Sequence, residues 1–215
     1  MVEKIADTRD RIIEPFLINA QFDGWSRKSL SAAAVETGYD ESMGLRAFPG
    51  GMTDVADHFA DWSDRRMLKE LESLDLKSMK VRERIHTGVK VRLQLNAPYR
   101  EAIRRLLSFM ALPGNVPLAL RLAWRTVSVI WYAAGDRSAD WNHYSKRGLL
   151  ASVYTSTILY WLADEADEEG DYPETWAFLE RRIEDVLRTF SLPGRLKKAF
   201  GGLPKPFCSS HQPQT

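Results

Sequence analysis

The chain has 215 residues, 44% of them hydrophobic and 11% aromatic, enough apolar material for one sizeable core. Lys and Arg number 30 against 29 Asp and Glu, a formal charge of +1, so no bulk field draws the molecule to nucleic acid or an anionic membrane, and any such attraction is local. The single Cys208 excludes an intrachain disulfide and fits a reducing compartment. The opening "MVEKIADTRDRIIEPF" mixes acids with bases and shows no targeting segment, and no apolar run reaches the roughly 18 residues that span a bilayer.

Apolar residues recur at helical spacing nearly throughout, without period-two alternation between hairpin turns, which predicts an all-α fold. Ile5, Ile12, Phe16 and Ala20 line a first helix, which Pro15 is expected to kink. Ser26 is placed to cap a short second helix through Leu30 and Ala34, with Gly38 as its stop. "DESMGLRAFPGG" reads as a third, Thr53 as the cap of a fourth bearing Val55, Phe59 and Trp62. Val81, Ile85, Val89 and Leu93 make a fifth that ends at Asn96 and Pro98. Ala102, Leu106 and Met110 mark a sixth, and Leu120, Trp124, Val127 and Trp131 a seventh that stops at Gly135. An eighth starts at Ser138 or Asp140 and runs to about Leu162. After the acidic loop "DEADEEGDYPE", Trp176, Leu179, Ile183, Val186 and Phe190 mark a ninth. The Pro- and Gly-rich remainder predicts no long helix, only a turn or two from Arg195 to Phe200. The expected organisation is 1–52, 53–190 and a basic tail, 191–215.

Four groups of residues carry candidate chemistry. "GWSRKSLSAAAVETGYDESMGLRAFPG" resembles the helix-turn-helix of TetR-type regulators. Nucleic-acid binding needs bases facing phosphate, yet between Gln21 and Met52 only Arg27, Lys28 and Arg46 stand against Asp23, Glu36, Asp40 and Glu41. Glu83 with His86, and Asp140 with His143, have the Glu/Asp-x-x-His spacing of di-iron bundles. Glu83 sits among Lys80, Arg82 and Arg84, however, and two further inward carboxylates are missing, so no metal site is expected; His58 and His211 have no ligand-spaced partners. Ser138, Asp140 and His143 crowd into one turn and do not form a hydrolytic triad. In "WYAAGDRSADWNHYSKRG", Asp136 and Asp140 are instead placed to cap the eighth helix and to pair with Arg137, Lys146 or Arg147, a helix-to-helix joint. Finally, Trp124, Trp131, Tyr154, Tyr160, Trp161, Trp176 and Phe178 gather on the last three helices, as either core or the wall of a lipid cavity.

These stretches together resemble a family. "FDGW", "AFPGG", "MKVRERI", "LPGN", "TWAFLERRIEDV" and above all "AGDRSADWNHYSKR" are similar, from about Arg9 to Phe190, to the ubiquinone-biosynthesis accessory proteins of TetR-like fold, the ninth-numbered protein of the coenzyme Q pathway. The resemblance implies a TetR-like helical bundle and a non-catalytic, usually dimeric lipid carrier without a cofactor. Such a carrier presents polyprenylated quinone intermediates to the pathway's di-iron hydroxylase. Its implied lipid site is Trp124, Val127, Trp131, Tyr154, Ile158, Trp161 and Phe178. The implied partner surface is Asp140, Asn142, His143, Tyr144, Lys146 and Arg147, with His143 standing where the family usually has Trp.

TetR-like folds pair through their last two long helices, which suggests a homodimer through Val153, Ile158, Trp161, Ile183 and Val186, residues that serve equally well as monomer core. Leu192, Arg195, Leu196, Lys197, Lys198 and Phe200 offer a membrane contact, as does the basic face of Lys80, Arg82, Arg84, Lys90 and Arg92. The short tail and the lack of a transit segment suggest a bacterial cytoplasmic protein lying against the inner membrane. The rival reading is a TetR-type DNA-binding regulator.

Overall fold

The computed structural model describes residues 5–136 and 141–200, with side chains omitted at 141–143, 187 and 189–200. Its described residues are helical, with no strand. They form α1 (Ile5–Asp23), α2 (Arg27–Glu36), α3 (Met43–Ala47), α4 (Met52–Glu72), α5 (Val81–Leu95), α6 (Arg100–Met110), α7 (Val116–Ala133), α8 (Trp141–Ala163) and α9 (Pro173–Phe200). Short 3-10 turns precede α5, α6 and α7.

Local chemistry accounts for several boundaries. Ser26 has extended backbone and its hydroxyl accepts from the Ser29 N–H at 3.2 Å, the N-cap the sequence predicts. Gly38, at φ +83°, turns the chain so that the Tyr39 N–H reaches the Ala34 carbonyl at 3.0 Å, and only glycine adopts that conformation without cost. The start of α4 differs from expectation. Gly51 is its cap and Thr53 lies within the first turn, its hydroxyl donating backwards to the Gly50 carbonyl at 2.9 Å. Pro15 is accommodated inside α1.

The end of the chain departs further. Helix α9 continues to Phe200 through Pro193 and Gly194, so the boundary expected at 190 falls inside a helix. A single proline forfeits one backbone bond and costs about 3 kcal/mol, with glycine adding about 1. Those losses weaken a helix without forbidding it, and a rule that treats each as a stop overcounts them. Residues 201–215 lie outside the described part.

Packing follows the apolar stripes. Ile12, Ile13, Phe16, Leu17 and Ala20 of α1 are fully buried, as are Leu30, Ala33 and Ala34 of α2. Gly44 lets α3 cross α2 closely, since a Cβ there would sit 2.8 Å from the Leu30 carbonyl oxygen. The three N-terminal helices join the rest through α1, which packs on α4 and α6, and through Trp25, whose indole N–H donates to the Ala102 carbonyl at 2.8 Å. Helix α4 also packs on α5 and α7, α7 on α8, and α8 on α9. No single helix among the described residues is long and apolar enough to cross a membrane.

At the α1–α4 contact, His58 Nε2 lies 2.9 Å from Asp10 Oδ1, and Asp10 also receives Arg65 at 2.6 Å. Burial pushes the His58 pKa below 6.5 against the opposing pull of Asp10, with Arg65 and Arg9 adding to the depression and Asp61 opposing it. His86 is lowered by burial as well, against the Trp176 backbone and Glu180. A lowered histidine is neutral in the fold while the unfolded chain takes up a proton near 6.5, so this stability is complete above pH 6.5 and declines below it. Asp10 is held below 3.8, chiefly by Arg65, and its contribution is lost only as the pH falls through that lower value. Melting temperature is therefore expected to drop between pH 7.5 and 5.5, by about 2–4 °C per kcal/mol for a chain of this size. His58→Gln should flatten that slope, as thermal melts across the range would show.

Candidate functional site

Helices α4 to α8 enclose a cavity of about 370 Å³, within the usual ~300–1,000 Å³ of small-molecule sites. Most of its wall is aliphatic, including Ala60, Leu93, Ile103, Leu106, Met110, Leu122 and Ile158. Leu120 (68% exposed) and Leu159 (57%) stand at the solvent side. The buried side carries Arg92, Asn96, Thr126 and Tyr154.

Behind that polar floor lies a closed network. Arg92 donates to Asp64 at 2.8 Å and to Thr126 at 3.3 Å, and Thr126 donates to Asp64 at 3.0 Å. Asp64 and Arg92 are both buried, and Ser63 donates to Asn96 at 3.2 Å. Burial pushes the Tyr154 hydroxyl pKa up despite the nearby Arg92, so the phenol keeps its proton. The basic face expected on α5 is dispersed by this packing: Arg92 points into the core, Arg84 donates to the Ala134 carbonyl at 3.0 Å, and Lys90 meets Asp171 at 3.3 Å. A stripe of five bases reads as a solvated face until the carboxylates of other helices are placed beside it.

The expected lipid residues divide. Tyr154, Ile158 and Trp161 line the cavity. Trp124 lies outside it, stacked on Tyr144 with centroids 6.1 Å apart; Val127 is buried core. Trp131 donates to the Lys146 carbonyl at 3.3 Å, and Phe178 stacks on Tyr160 at 4.5 Å. The first three share α7 with cavity residues but face other neighbours, a rotation that composition does not encode, whereas Phe178 stands on α9, which is not among the helices lining the cavity. Leu107, Met110, Ala119 and Arg92, which the aromatic cluster gave no reason to choose, complete the site; the signal that could have found the first three is their apolar periodicity on α6 and α7.

The polar box is a joint. Gly135, at φ +93°, ends α7 with Asp136 N–H bonded to the Trp131 carbonyl at 3.0 Å. Asp136 then receives Lys146 at 3.3 Å and Arg147 at 3.5 Å. Arg147 is 5% exposed, which removes it from the expected partner surface, because its charge is held inward by Asp136. Tyr144 is 60% exposed. Ser138 and Asp140 lie outside the described residues, as do the side chains of Asn142 and His143 and those of Leu192, Arg195, Leu196, Lys197, Lys198 and Phe200.

The expected dimer residues are also engaged within the chain. Val153, Trp161 and Ile183 are buried, and Ile158 and Val186 pack against the core. Among the described residues no cluster of three metal-ligating side chains occurs. Glu83 and His86 border a second, mixed cavity of about 400 Å³ between α5 and α9 with Arg82 and Glu180. In the N-terminal motif, Asp40 receives the Ser42 hydroxyl at 2.5 Å and Arg46 at 2.5 Å, so the one base on α3 is occupied by an acid of its own motif.

This arrangement is a TetR-like all-α fold: the TetR transcriptional regulator from Nitrosomonas europaea superposes with a TM-score of 0.66 over 84% of this chain and 98% of that one, at 23% identity. Such identity speaks for the fold alone. The more specific likeness is to COQ9, whose family model matches residues 116–189. The chain is 29% identical over 189 residues to the mitochondrial ubiquinone biosynthesis protein COQ9 of Homo sapiens, 30% over 171 to that of Rattus norvegicus and 25% over 197 to the probable coq9 of Dictyostelium discoideum. These alignments cover 82%, 76% and 89% of this chain. The chain spans 57%, 54% and 63% of those relatives. They are mitochondrial proteins, which overturns the expectation of a bacterial cytoplasmic one.

Asp64→Ala should leave Arg92 buried without its carboxylate, which costs about 3–5 kcal/mol when one member of such a pair is removed. Urea unfolding of the variant against the native chain measures the loss.

Proposed function

We propose that the chain is a non-catalytic, lipid-binding accessory protein of ubiquinone biosynthesis that presents polyprenylated quinone intermediates to the di-iron demethoxyubiquinone hydroxylase. The observation that carries the reading is the apolar cavity itself, since α7 and α8, within the stretch that matches COQ9, supply Leu120, Tyr154, Ile158 and Trp161 to its wall. The protein needs no cofactor for this task, because the lipid is its ligand and the iron is the hydroxylase's.

Delivery requires a surface that meets the partner and the bilayer. Val116, Leu120 and Trp124 recur every fourth residue along α7 and are exposed, as are Leu112, Leu159 and Tyr144. Exposed apolar groups clustered beside a cavity mouth are characteristic of interaction sites. This face would receive the hydroxylase, in a homodimer that associates peripherally with membrane.

DNA regulation is the weaker reading. Arg46 is bonded to Asp40, and the recognition helix spans only Met43–Ala47, too short to lay several side chains along a groove.

Organic extraction of the purified protein should release isoprenoid or other lipid at a substantial fraction of one per chain. Ile158→Trp, which fills the cavity, should lower that yield several-fold at an unchanged fold; equal lipid from both proteins would place the lipid elsewhere. Tyr144→Asp should weaken hydroxylase capture without altering lipid content, as co-purification from one lysate would record.

A further inference from the structure

The buried floor of the cavity has a feature that an apolar tail does not satisfy. Trp161 is fully buried and borders the cavity, and its indole N–H has no hydrogen-bond acceptor. An unpaired buried donor carries a desolvation penalty, and native structures seldom leave one without a reason. Tyr154 stands on the same helix, buried and on the same wall. Arg92 lies 5.6 Å from its ring centroid, and burial keeps its phenol protonated, which makes the hydroxyl a second donor.

The charge balance of the floor narrows what these donors meet. Arg92 is already neutralised by Asp64 at 2.8 Å. Arg125, whose Nε is 3.7 Å from Asp64, donates to the Asp57 carbonyl at 2.8 Å and meets its carboxylate at 3.3 Å. Arg121, also 3.3 Å from Asp57, is 69% exposed, so the two inner cations, Arg92 and Arg125, are matched by two carboxylates and no inward positive charge is left to repay the desolvation of an anion. A neutral oxygen acceptor suits such a floor, whereas a carboxylate or phosphate does not. The opposite end, at Leu120 and Leu159, is apolar and open, and a cavity of about 370 Å³ encloses a ring and the start of a chain but not a long polyprenyl tail.

Resting on the lipid-carrier reading, we propose that the cavity takes its ligand ring first: a neutral, oxygen-bearing ring accepts hydrogen bonds from Trp161 and Tyr154 at the floor, while its hydrocarbon chain leaves past Leu120 and Leu159. Trp161 and Tyr154 are then the residues that distinguish a quinone from a plain isoprenoid and from a fatty acid.

The test uses the full chain and three probes: a ubiquinone with a ten-carbon side chain, farnesane as a ringless branched hydrocarbon, and palmitate. Affinities are read by displacement of a fluorescent apolar dye, with thermal melts confirming that each variant is folded. Tyr154→Phe removes a donor and keeps its ring, and Trp161→Phe removes a donor and keeps a smaller aromatic ring in the wall; either alone carries the test if the other does not fold. Each should weaken the quinone about 5- to 10-fold, which corresponds to about one net hydrogen bond, and leave farnesane within twofold. Palmitate should bind no more tightly than farnesane. Unchanged quinone affinity in the folded variants, or equal losses for quinone and farnesane, would overturn the ring-first placement while leaving a lipid cavity. Failure of the native chain to bind either quinone or farnesane would overturn the carrier reading together with it.

Discussion

The buried pair of Asp64 and Arg92 fixes the geometry on which the rest depends. It lies where α4, α5 and α7 meet, closed by Thr126, and a low-dielectric site tolerates few arrangements of two opposite charges. Asp54, Asp57, Asp61 and Asp64 form one stripe along α4 at helical spacing. Each finds an arginine: Arg9 from α1, Arg121 and Arg125 from α7, Arg65 on α4 itself and Arg92 from α5. The outer pairs are solvent-screened and contribute little individually. Their effect is on register, because sliding α1 along α4 by one turn would separate Arg9 from Asp54, and sliding α7 would separate Arg121 and Arg125 from Asp57.

That electrostatic spine is what lets an apolar cavity exist beside it. With Arg92 committed to Asp64, the inner wall carries oriented donors without free charge, and the aliphatic residues of α6 and α7 fill the rest. The same economy appears at the α7–α8 joint, where Asp136 holds Lys146 and Arg147 and Arg84 closes the carbonyl end of α7. Polar residues packed between two oily helices build a corner there, and the corner aims α8 so that Tyr154, Ile158 and Trp161 reach the cavity.

Periodicity was sufficient for the helices because each has a strong apolar stripe or a local stop, such as Ser26 and Gly38. It was insufficient for the cavity. Trp124 and Trp161 look alike in sequence, yet one stacks on exposed Tyr144 and the other is fully buried, a difference set by helix rotation. Arg92 read as part of a basic face because Asp64 lies 28 residues away on another helix. His58 read as isolated for the same reason, its partner Asp10 being on α1. Long-range ion pairs leave no local signature, whereas caps and turns do, and the errors fell accordingly. Pro193 and Gly194 misled in the opposite direction, because a local penalty was taken as a veto.

The N-terminal helices show how packing alone can hold a helix-turn-helix motif in place. Phe16 of α1 meets Trp25 edge-on at 5.0 Å, and Trp25 in turn meets Phe59 of α4 at 6.1 Å. Phe59 lines the cavity. Trp25 is also bonded to the backbone of α6, whose Ile103 and Leu106 form another part of that wall. The helix-turn-helix unit thus supports the inner side of α4 and α6, and deleting it would expose the fully buried stripe of α1 and open the cavity from below. Its surface is under no such constraint. Asp40 can neutralise Arg46 and the third helix can shrink to five residues without disturbing the layer beneath, so packing alone retains the motif whatever its outer face meets.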